Sequence, residues 1–186
     1  MRIITGTAKG ARLKSPRGMT TRPTSDRVKE SLFSILGRRV FDARVLDIFA
    51  GTGGLGLESL SRGSRIATFI DRATAGIIRD NAEHTRLIGR AVIIRGDVFS
   101  VMERMAIEGE QFDLVFCDPP YKKGLWEKAL AYLDGEGGAL LADDALIIVE
   151  HGADENEMPE LATLARQRNV KYGHTTQISI FAGGRK

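Results

Sequence analysis

Five short apolar runs alternate with amphipathic segments along most of this sequence, and this alternation constrains the fold more than any other feature. The apolar runs have the length of buried strands and cover residues 45–49, 66–70, 91–95, 112–117 and 145–150. The intervening segments have a helical period and extend to about residue 62, then over residues 74–87, 98–107, 125–133 and 157–166. Strands that alternate with helices through short connections form a parallel sheet that is covered on both faces.

Two further apolar stretches lie near the end of the chain. Residues 170–172 and 176–181 flank Gly173-His174 and predict an antiparallel pair of strands. We therefore expect an α/β fold with a mostly parallel seven-stranded sheet and helices on both faces. The chain has 186 residues, of which 42% are hydrophobic and 27% charged, so it can bury one such core. This composition excludes a disordered or collagen-like protein.

The first 40 residues precede the alternating pattern and follow a different one. Residues 2–13 predict a short hairpin that turns at Lys9-Gly10, and a loop with proline and glycine follows. Thr24 or Ser25 then offers an N-cap for a helix that ends at Gly37. We expect two parts, a basic hairpin and helix over residues 1–40 and an α/β domain over residues 41–186.

Positive charge is concentrated at the start of the chain. Residues 1–30 carry a net charge of +6, whereas the whole chain carries +3, so the remaining residues sum to −3. A basic segment favours a polyanionic partner, because neutralising phosphates releases counterions. A solvated basic tail is the alternative. The charges are spaced through a segment with predicted structure, and this spacing favours the polyanionic partner.

The cysteine count, the apolar runs and the histidine spacing indicate the compartment and the absence of a membrane segment and of a metal site. The single cysteine excludes an internal disulfide framework and indicates a reducing compartment. No apolar run approaches 18 residues, and the N-terminus lacks the apolar core of a signal peptide. His84, His151 and His174 lie far apart and have no cysteine pair beside them, so we expect no metal. We expect a cytoplasmic monomer that has no membrane contact.

A glycine-rich turn joins the first predicted strand to its helix. The sequence Gly51-Thr-Gly-Gly-Leu-Gly56 lets a ligand approach the backbone without meeting a Cβ. Asp71 ends the second strand, at the spacing expected of an acceptor for ribose hydroxyls in a dinucleotide site. Asp47 favours a different ligand, because a carboxylate before the first glycine can reach an ammonium group. These two carboxylates and Asp97, after the third strand, are expected at one edge of the sheet.

A second motif, Asp118-Pro-Pro-Tyr121, ends the fourth strand, which we expect to flank the first. Two prolines fix the backbone and donate no hydrogen bonds, so this loop presents rigid carbonyl groups. Asp118 and the Pro119 carbonyl form a pair of acceptors beside the aromatic face of Tyr121. Such a site suits the exocyclic amine of a nucleobase. The alternative is a proline-rich strand exit with a packed tyrosine.

These motifs resemble, in order, those of S-adenosylmethionine-dependent amino-methyltransferases. The N-terminal string, from Arg2-Ile-Ile-Thr to Ser25-Asp-Arg-Val28, resembles one family of that class, the bacterial small-subunit (16S) rRNA guanine-N2 methyltransferases. Residues 124–130 and 172–175 are also similar, so the resemblance covers nearly the whole chain. Ala11 and Asp71 depart from the family pattern, in which a basic residue and a glutamate are usual. The N-terminal string points to rRNA, whereas residues 118–121 specify only amino-methylation.

The resemblance implies a Rossmann-like class I methyltransferase fold and a role for each motif. The cofactor, S-adenosyl-L-methionine, would be bound by Asp47, Phe49, Ala50, Gly51, Thr52, Gly53, Gly54, Asp71, Arg72, Asp97 and Val98. The guanine amine would be positioned by the catalytic residues Asp118, Pro119, Pro120 and Tyr121. The partner, small-subunit rRNA or its assembling particle, would be contacted by Arg2, Lys9, Arg12, Lys14, Arg17 and Arg22.

Three alternatives stay open. An NAD-dependent oxidoreductase shares the glycine string, although hydride transfer has no use for residues 118–121. A DNA or other RNA amino-methyltransferase, acting on adenine N6 or cytosine N4, shares the second motif, but the chain has no room for a separate DNA-recognition domain. A non-catalytic RNA-binding module that kept the fold is the third alternative, and the presence of Asp118, Gly51 and Gly53 argues against it. For Cys117 and Trp126, packing is favoured over a role in the site.

Overall fold

The computed structural model describes residues 1–16, 25–155 and 158–183. It contains one sheet of the strands β1 (Arg44–Asp47), β2 (Ile66–Ile70), β3 (Ala91–Ile94), β4 (Phe112–Cys117), β5 (Leu141–Gly152), β6 (Leu164–Tyr172) and β7 (Thr176–Gly183). The strand order is β3-β2-β1-β4-β5-β7-β6. The strands β1 to β5 are mutually parallel, and β7 is antiparallel to both β5 and β6. The predicted mostly parallel seven-stranded sheet is confirmed.

Helices cover both faces of the sheet. They are α1 (Asp26–Leu36), α2 (Gly54–Ser61), α3 (Ala75–His84), α4 (Val98–Ile107) and α5 (Leu125–Asp134). The first three contribute to the core on one face, and α4 and α5 to the core on the other. Within the described ranges, no helix has both the length and the hydrophobicity needed to cross a bilayer.

The N-terminal residues fold back on themselves before α1. Arg2 and Arg12 form an antiparallel bridge, and the Ile3 N–H donates to the Ala11 carbonyl at 2.9 Å. Ile3 and Leu13 are buried in the same core as α1, so this basic segment is packed on the domain. The Ser25 hydroxyl accepts from the Val28 N–H at 3.3 Å, which confirms the predicted N-cap. Thr24, Arg17 and Arg22 lie outside the described residues.

The helix predicted over residues 157–166 is wrong. Residues 156 and 157 lie outside the described ranges, residues 158–163 form no helix, and β6 begins at Leu164. At the end of α5, the Asp134 carboxylate accepts hydrogen bonds from the backbone N–H groups of Ala162, Thr163 and Leu164 at 2.6–2.8 Å. These contacts direct the chain into an extended path along β7. The predicted strand over residues 170–172 is the end of β6, and its antiparallel pairing with β7 is confirmed. The beginning of β6 was missed because its side chains are mostly exposed, so hydrophobicity does not alternate along it.

Candidate active site

The strand register brings the predicted carboxylates to one edge of the sheet. Asp47 ends β1, where it pairs with Phe69 of β2 and Phe116 of β4. Asp71 and Asp118 each follow these partners by two residues. Ligands of open parallel sheets bind beyond the carboxyl ends of the strands, at the point where the order of the strands reverses. Here that point lies between β1 and β4.

Two glycines of the loop after β1 have left-handed backbone conformations but different surroundings. Gly51 and Gly53 have φ of +55° and +81°, a left-handed conformation that favours glycine. A Cβ on Gly53 would lie 3.2 Å from side-chain carbons of Leu57 and Ile78, so this glycine faces the core. A Cβ on Gly51 would have only the Phe49 carbonyl oxygen near it, at 4.0 Å. The open side of the loop is therefore at Gly51.

Asp47 lies beneath this loop, almost fully buried. Its Oδ2 accepts a hydrogen bond from the Gly56 N–H in the first turn of α2, at 3.2 Å. Burial is the largest effect on the pKa of Asp47 and raises it. Together with the charge of Asp71, and against the opposing effect of the Gly56 hydrogen bond, it brings this pKa to about 7. This carboxyl group therefore titrates near neutral pH.

Asp71 connects the glycine loop to α3. One carboxylate oxygen accepts from the Gly51 N–H at 3.0 Å, and the other accepts from the N–H groups of Ala73 and Thr74, each at 2.8 Å. The side chain is half-buried at the sheet edge. It therefore fixes the backbone of Gly51 and the start of α3.

The other predicted cofactor residues follow the same edge. Asp97 is exposed and is the N-cap of α4, where it accepts from the Phe99 and Ser100 N–H groups at 3.2 Å. Val98 begins that helix and is buried. The remaining positions are exposed at Arg72, half-buried at Phe49 and Thr52, and buried at Ala50 and Gly54.

Tyr121 ties the second motif to the strands beside it. Its hydroxyl donates to Glu150 Oε1 at the end of β5 and lies 3.2 Å from Thr176 Oγ1 at the start of β7. Burial, followed by the charge of Glu150, raises the pKa of Tyr121 well above its usual value. Within the motif, Asp118 is half-buried, Pro119 buried and Pro120 exposed. Neither Glu150 nor Thr176 was predicted from the sequence.

Glu155 closes the loop that follows the motif. Lys122 has a φ of +61°, which is unusual for a residue with a side chain. Its N–H donates to Glu155 Oε1, and the Gly152 N–H donates to Glu155 Oε2, both at 2.7 Å. A Cβ on Gly152 would lie 2.7 Å from that second oxygen, so a larger residue here would displace the carboxylate from its present position. Glu155 thus joins the end of β5 to the motif.

Cys117 and Trp126 lie in the core, in line with the packing roles favoured above. Both are almost fully buried in the core that α4 and α5 cover. The Trp126 ring stacks on His151 with ring centroids 4.6 Å apart. Burial lowers the pKa of His151 and raises the pKa of the Cys117 thiol. No group of three or more potential metal ligands occurs in the parts of the chain described.

A buried ion network fastens the N-terminal residues to α2. Glu58, which is fully buried, accepts from the N–H groups of Ile4 and Thr5 at 2.8 and 3.1 Å. The same carboxylate accepts from Lys29 Nζ at 3.3 Å and from Arg62 Nε at 2.8 Å. Lys29 is equally buried and also donates to the Arg2 carbonyl. Only the Glu58–Arg62 pair is local, so the contacts of Glu58 with Lys29 and the N-terminal residues could not be predicted from a sequence pattern.

Asn81 links the basic segment to the glycine loop. Its side-chain oxygen accepts from the Lys14 N–H at 2.7 Å, and its amide nitrogen donates to the carbonyls of Lys14 and Thr52 at 3.1 and 2.9 Å. The side chain is fully buried. One residue on α3 therefore holds both the predicted RNA-contact segment and the predicted cofactor loop.

The predicted RNA-contact cations differ in their surroundings. Arg2 pairs with Asp26 at 2.8 Å and Lys14 with Asp80 at 3.0 Å, and both pairs are well exposed. Lys9 and Arg12 are exposed and form no ion pair with another described residue. Exposed pairs of this kind are weak, so Arg2 and Lys14 can exchange their carboxylates for a polyanion. Lys9 and Arg12 can bind a polyanion without breaking an ion pair.

Comparison with protein families gives a match over nearly the whole chain. The family described as Conserved hypothetical protein 95 matches residues 1–181. The Bacillus subtilis protein named "Putative rRNA methyltransferase YlbH" is 38% identical over 178 residues, which cover 94% of this chain and 95% of that protein. The Escherichia coli K12 protein named Ribosomal RNA small subunit methyltransferase D is 41% identical over 161 residues, covering 86% and 78% of the two chains.

A solved structure shares the fold over its full length. The structure described as "Putative methyltransferase yhhF from Escherichia coli" superposes with a TM-score of 0.84 at 36% sequence identity. The match covers 100% of this chain and 99% of that one. The antiparallel strands β6 and β7 and the N-terminal segment thus belong to an architecture that both proteins have.

Proposed function

Because this chain belongs to the family Conserved hypothetical protein 95, we propose that it is an S-adenosylmethionine-dependent methyltransferase that modifies the N2 amine of a guanine in small-subunit rRNA. One observation carries the proposal. The glycine loop and Asp71 lie beside residues 118–121, at the adjoining ends of β1, β2 and β4. A cofactor held by the first group therefore lies next to an amine held by the second.

The residues of the loop fit this cofactor. The space beside Gly51 is open, so a ligand can approach the backbone there. Asp47 places a carboxylate beneath the loop, suited to the ammonium group of the methionine part, while Asp71 supplies acceptors for ribose hydroxyls. Asp97 and Val98 would border the adenine at the start of α4. When bound, S-adenosylmethionine supplies an electrophilic methyl group on a sulfonium.

In the proposed mechanism the protein positions the amine and stabilises the charge that forms on it. Asp118 and the Pro119 carbonyl accept the two N–H groups of the guanine N2 amine, which turns its lone pair toward the methyl group. The new N–C bond would form as the methyl–sulfur bond breaks, leaving a neutral thioether. The nitrogen would then be ammonium-like, the Asp118 carboxylate would stabilise that charge, and the excess proton would leave afterwards to Asp118 or to water. The Tyr121 ring, held by Glu150 and Thr176, offers a stacking surface for an unpaired base.

For the rest of the chain, we propose that residues 1–40 form an RNA-contact extension of the methyltransferase domain, residues 41–186. The substrate is rRNA or its assembling particle, and the protein acts in the cytoplasm as a monomer. Arg2, Lys9, Arg12 and Lys14 would bind phosphates, and Arg17 and Arg22 belong to the same proposed surface. Asn81 and Glu58 hold the described part of this segment against the domain.

The titration of Asp47 predicts how cofactor affinity depends on pH. The charged form of Asp47 attracts the ligand ammonium, and its pKa is raised to about 7. The affinity for S-adenosylhomocysteine should therefore rise about 25-fold between pH 5.5 and 7.5, as the ionised fraction of Asp47 grows. Calorimetry should show proton release on binding below pH 7. Asp47→Asn should bind weakly at every pH in this range.

Stability provides the control for the Asp47 prediction. The pKa in the folded state lies above that in the unfolded state, so ionising Asp47 costs stability as the pH rises from about 4 to about 7. Asp47→Asn removes this cost and should fold at least as stably as the wild type at pH 7. A pH-independent affinity in the wild type would contradict the role of Asp47, and binding of NAD in place of S-adenosylhomocysteine would contradict the cofactor assignment.

The RNA-contact segment is tested by salt dependence. Replacing Arg12 and Lys14 by alanine should raise the KM for RNA and reduce the slope of log affinity against log salt by about 0.7–0.9 for each lost phosphate contact. The backbone of Lys14, which binds Asn81, is unchanged by the substitution. Cofactor affinity should stay constant. Arg104→Ala removes a similarly exposed cation from α4, which covers the opposite face of the sheet. This variant should leave the slope of log affinity against log salt unchanged.

A further inference from the structure

Positive charge is also concentrated at the end of the chain. Residues 164–186 contain five Lys and Arg and no acidic residue, so residues 31–163 between the two basic segments carry a net charge of −8. Three of these cations, Arg166, Arg168 and Lys171, lie on β6. We call them the β6 cations.

The β6 strand is the outermost strand of the sheet beside β7. Residues 165–169 are all exposed, so side chains on both faces of the strand reach solvent. None of the β6 cations forms an ion pair with another residue in the described ranges. Their charges are therefore available to a polyanion.

The register places these cations on both faces of the edge. Arg168 pairs with Ile180, whose side chain lies in the core on the face that α1 covers. Arg166 pairs with Phe181, which lies in the opposite core. From Arg166 to Lys171 the strand extends about 17 Å. A rod-like polyanion that lies across β6 would therefore contact positive side chains on both faces of this edge strand.

The β6 edge is connected to the candidate active site. At its end, Tyr172 pairs with Thr176, and Thr176 Oγ1 lies 3.2 Å from the hydroxyl of Tyr121. The Tyr172 hydroxyl donates to Ser31 Oγ on α1 at 2.7 Å, which fixes this end of the strand. The cations therefore have a defined position relative to residues 118–121 and to the N-terminal segment that precedes α1.

We propose that the β6 edge, through Arg166, Arg168 and Lys171, is a second phosphate-binding surface for the substrate RNA. This inference rests on the proposed function. Lysine and arginine on an edge strand also discourage pairing with another chain. Protection of the edge requires charge on β6. It does not require that residues 164–183 lack acidic residues or that the β6–β7 hairpin contacts Tyr121. RNA bound along β6 and the N-terminal segment would be held on both sides of the loop that receives the base.

The test is the triple variant Arg166→Gln, Arg168→Gln, Lys171→Gln. Its matched control, Arg38→Gln, Arg39→Gln, Arg104→Gln, removes the same charge from exposed positions before β1 and on α4. For the β6 variant, the slope of log affinity against log salt for an rRNA fragment should fall by about 2, because each phosphate contact contributes about 0.7. The KM for RNA should rise at least tenfold, with kcat and the S-adenosylhomocysteine Kd unchanged.

The outcomes separate the two proposals. A salt slope and KM equal to those of the control variant overturn the β6 surface while leaving the proposed function intact. If the wild-type protein neither binds nor methylates rRNA, the proposed function fails and the β6 surface fails with it. A reduced slope that adds to the effect of replacing Arg12 and Lys14 supports two separate surfaces on one RNA.

Discussion

Asp118→Ala should lower kcat for methyl transfer by about 10³-fold, the largest effect we expect from any single substitution outside the core. The substitution removes the carboxylate that orients the amine and stabilises the ammonium-like charge in the transition state. The residue binds no cofactor in the proposed mechanism, so the Kd for S-adenosylhomocysteine should change less than about threefold. Single-turnover methylation of an rRNA substrate and calorimetry with the same protein measure the two quantities.

Asp118→Asn is the matched control for this prediction. It keeps the size of the side chain and one oxygen acceptor but loses the charge, so its activity should lie between those of the wild type and Asp118→Ala. A wild-type rate in the alanine variant would remove Asp118 from the mechanism. A loss of cofactor binding equal to the loss of rate would place Asp118 in the cofactor site instead.

Lys29→Met should reduce the free energy of unfolding by about 3 kcal/mol, because it breaks a fully buried ion pair and leaves Arg62 as the remaining cation beside Glu58. The loss also frees the Arg2 carbonyl, so the N-terminal segment should detach from α2 before the domain unfolds. Urea denaturation measures the first effect, and hydrogen exchange at Ile4 and Thr5, whose N–H groups bind Glu58, measures the second.

Lys14→Met provides the comparison for the buried lysine. Lys14 also pairs with a carboxylate, Asp80, but both side chains are more than half exposed, so its loss should cost less than about 1 kcal/mol. Equal destabilisation by the two variants would show that the Lys29–Glu58 pair does not anchor the segment.

The sequence predicted the parts of the site that depend on topology. The carboxyl ends of parallel strands lie at the same edge of the sheet. Residues that directly follow these strands therefore lie close together there, independently of their side-chain contacts. The positions of Asp47, Asp71 and Asp118 at the ends of β1, β2 and β4 are therefore predictable from the sequence, and the register agrees. The sequence also predicted that β4 flanks β1, which the register confirms.

The sequence did not predict the contacts that depend on distant partners. Glu58 binds residues 54 and 53 positions away, and Asn81 binds Lys14 across 67 positions, so neither leaves a local pattern. The first residues of β6 were predicted as a helix because their extended path depends on Asp134, 30 positions before Leu164, whereas residues 170–172 were predicted as a strand. The net charge of −3 after residue 30 combines −8 over residues 31–163 with +5 over residues 164–186, so the total does not reveal the basic end of the chain.

The central claim, methylation of a guanine N2 amine in small-subunit rRNA, is tested most directly by mass-spectrometric mapping of that RNA. Cells with and without the gene are compared, and the deleted strain is complemented with the wild type or with Asp118→Ala. We predict that one N2-methylguanine disappears in the deletion, returns with the wild-type protein and stays absent with Asp118→Ala. An unchanged set of N2-methylguanines in the deleted strain would contradict the account.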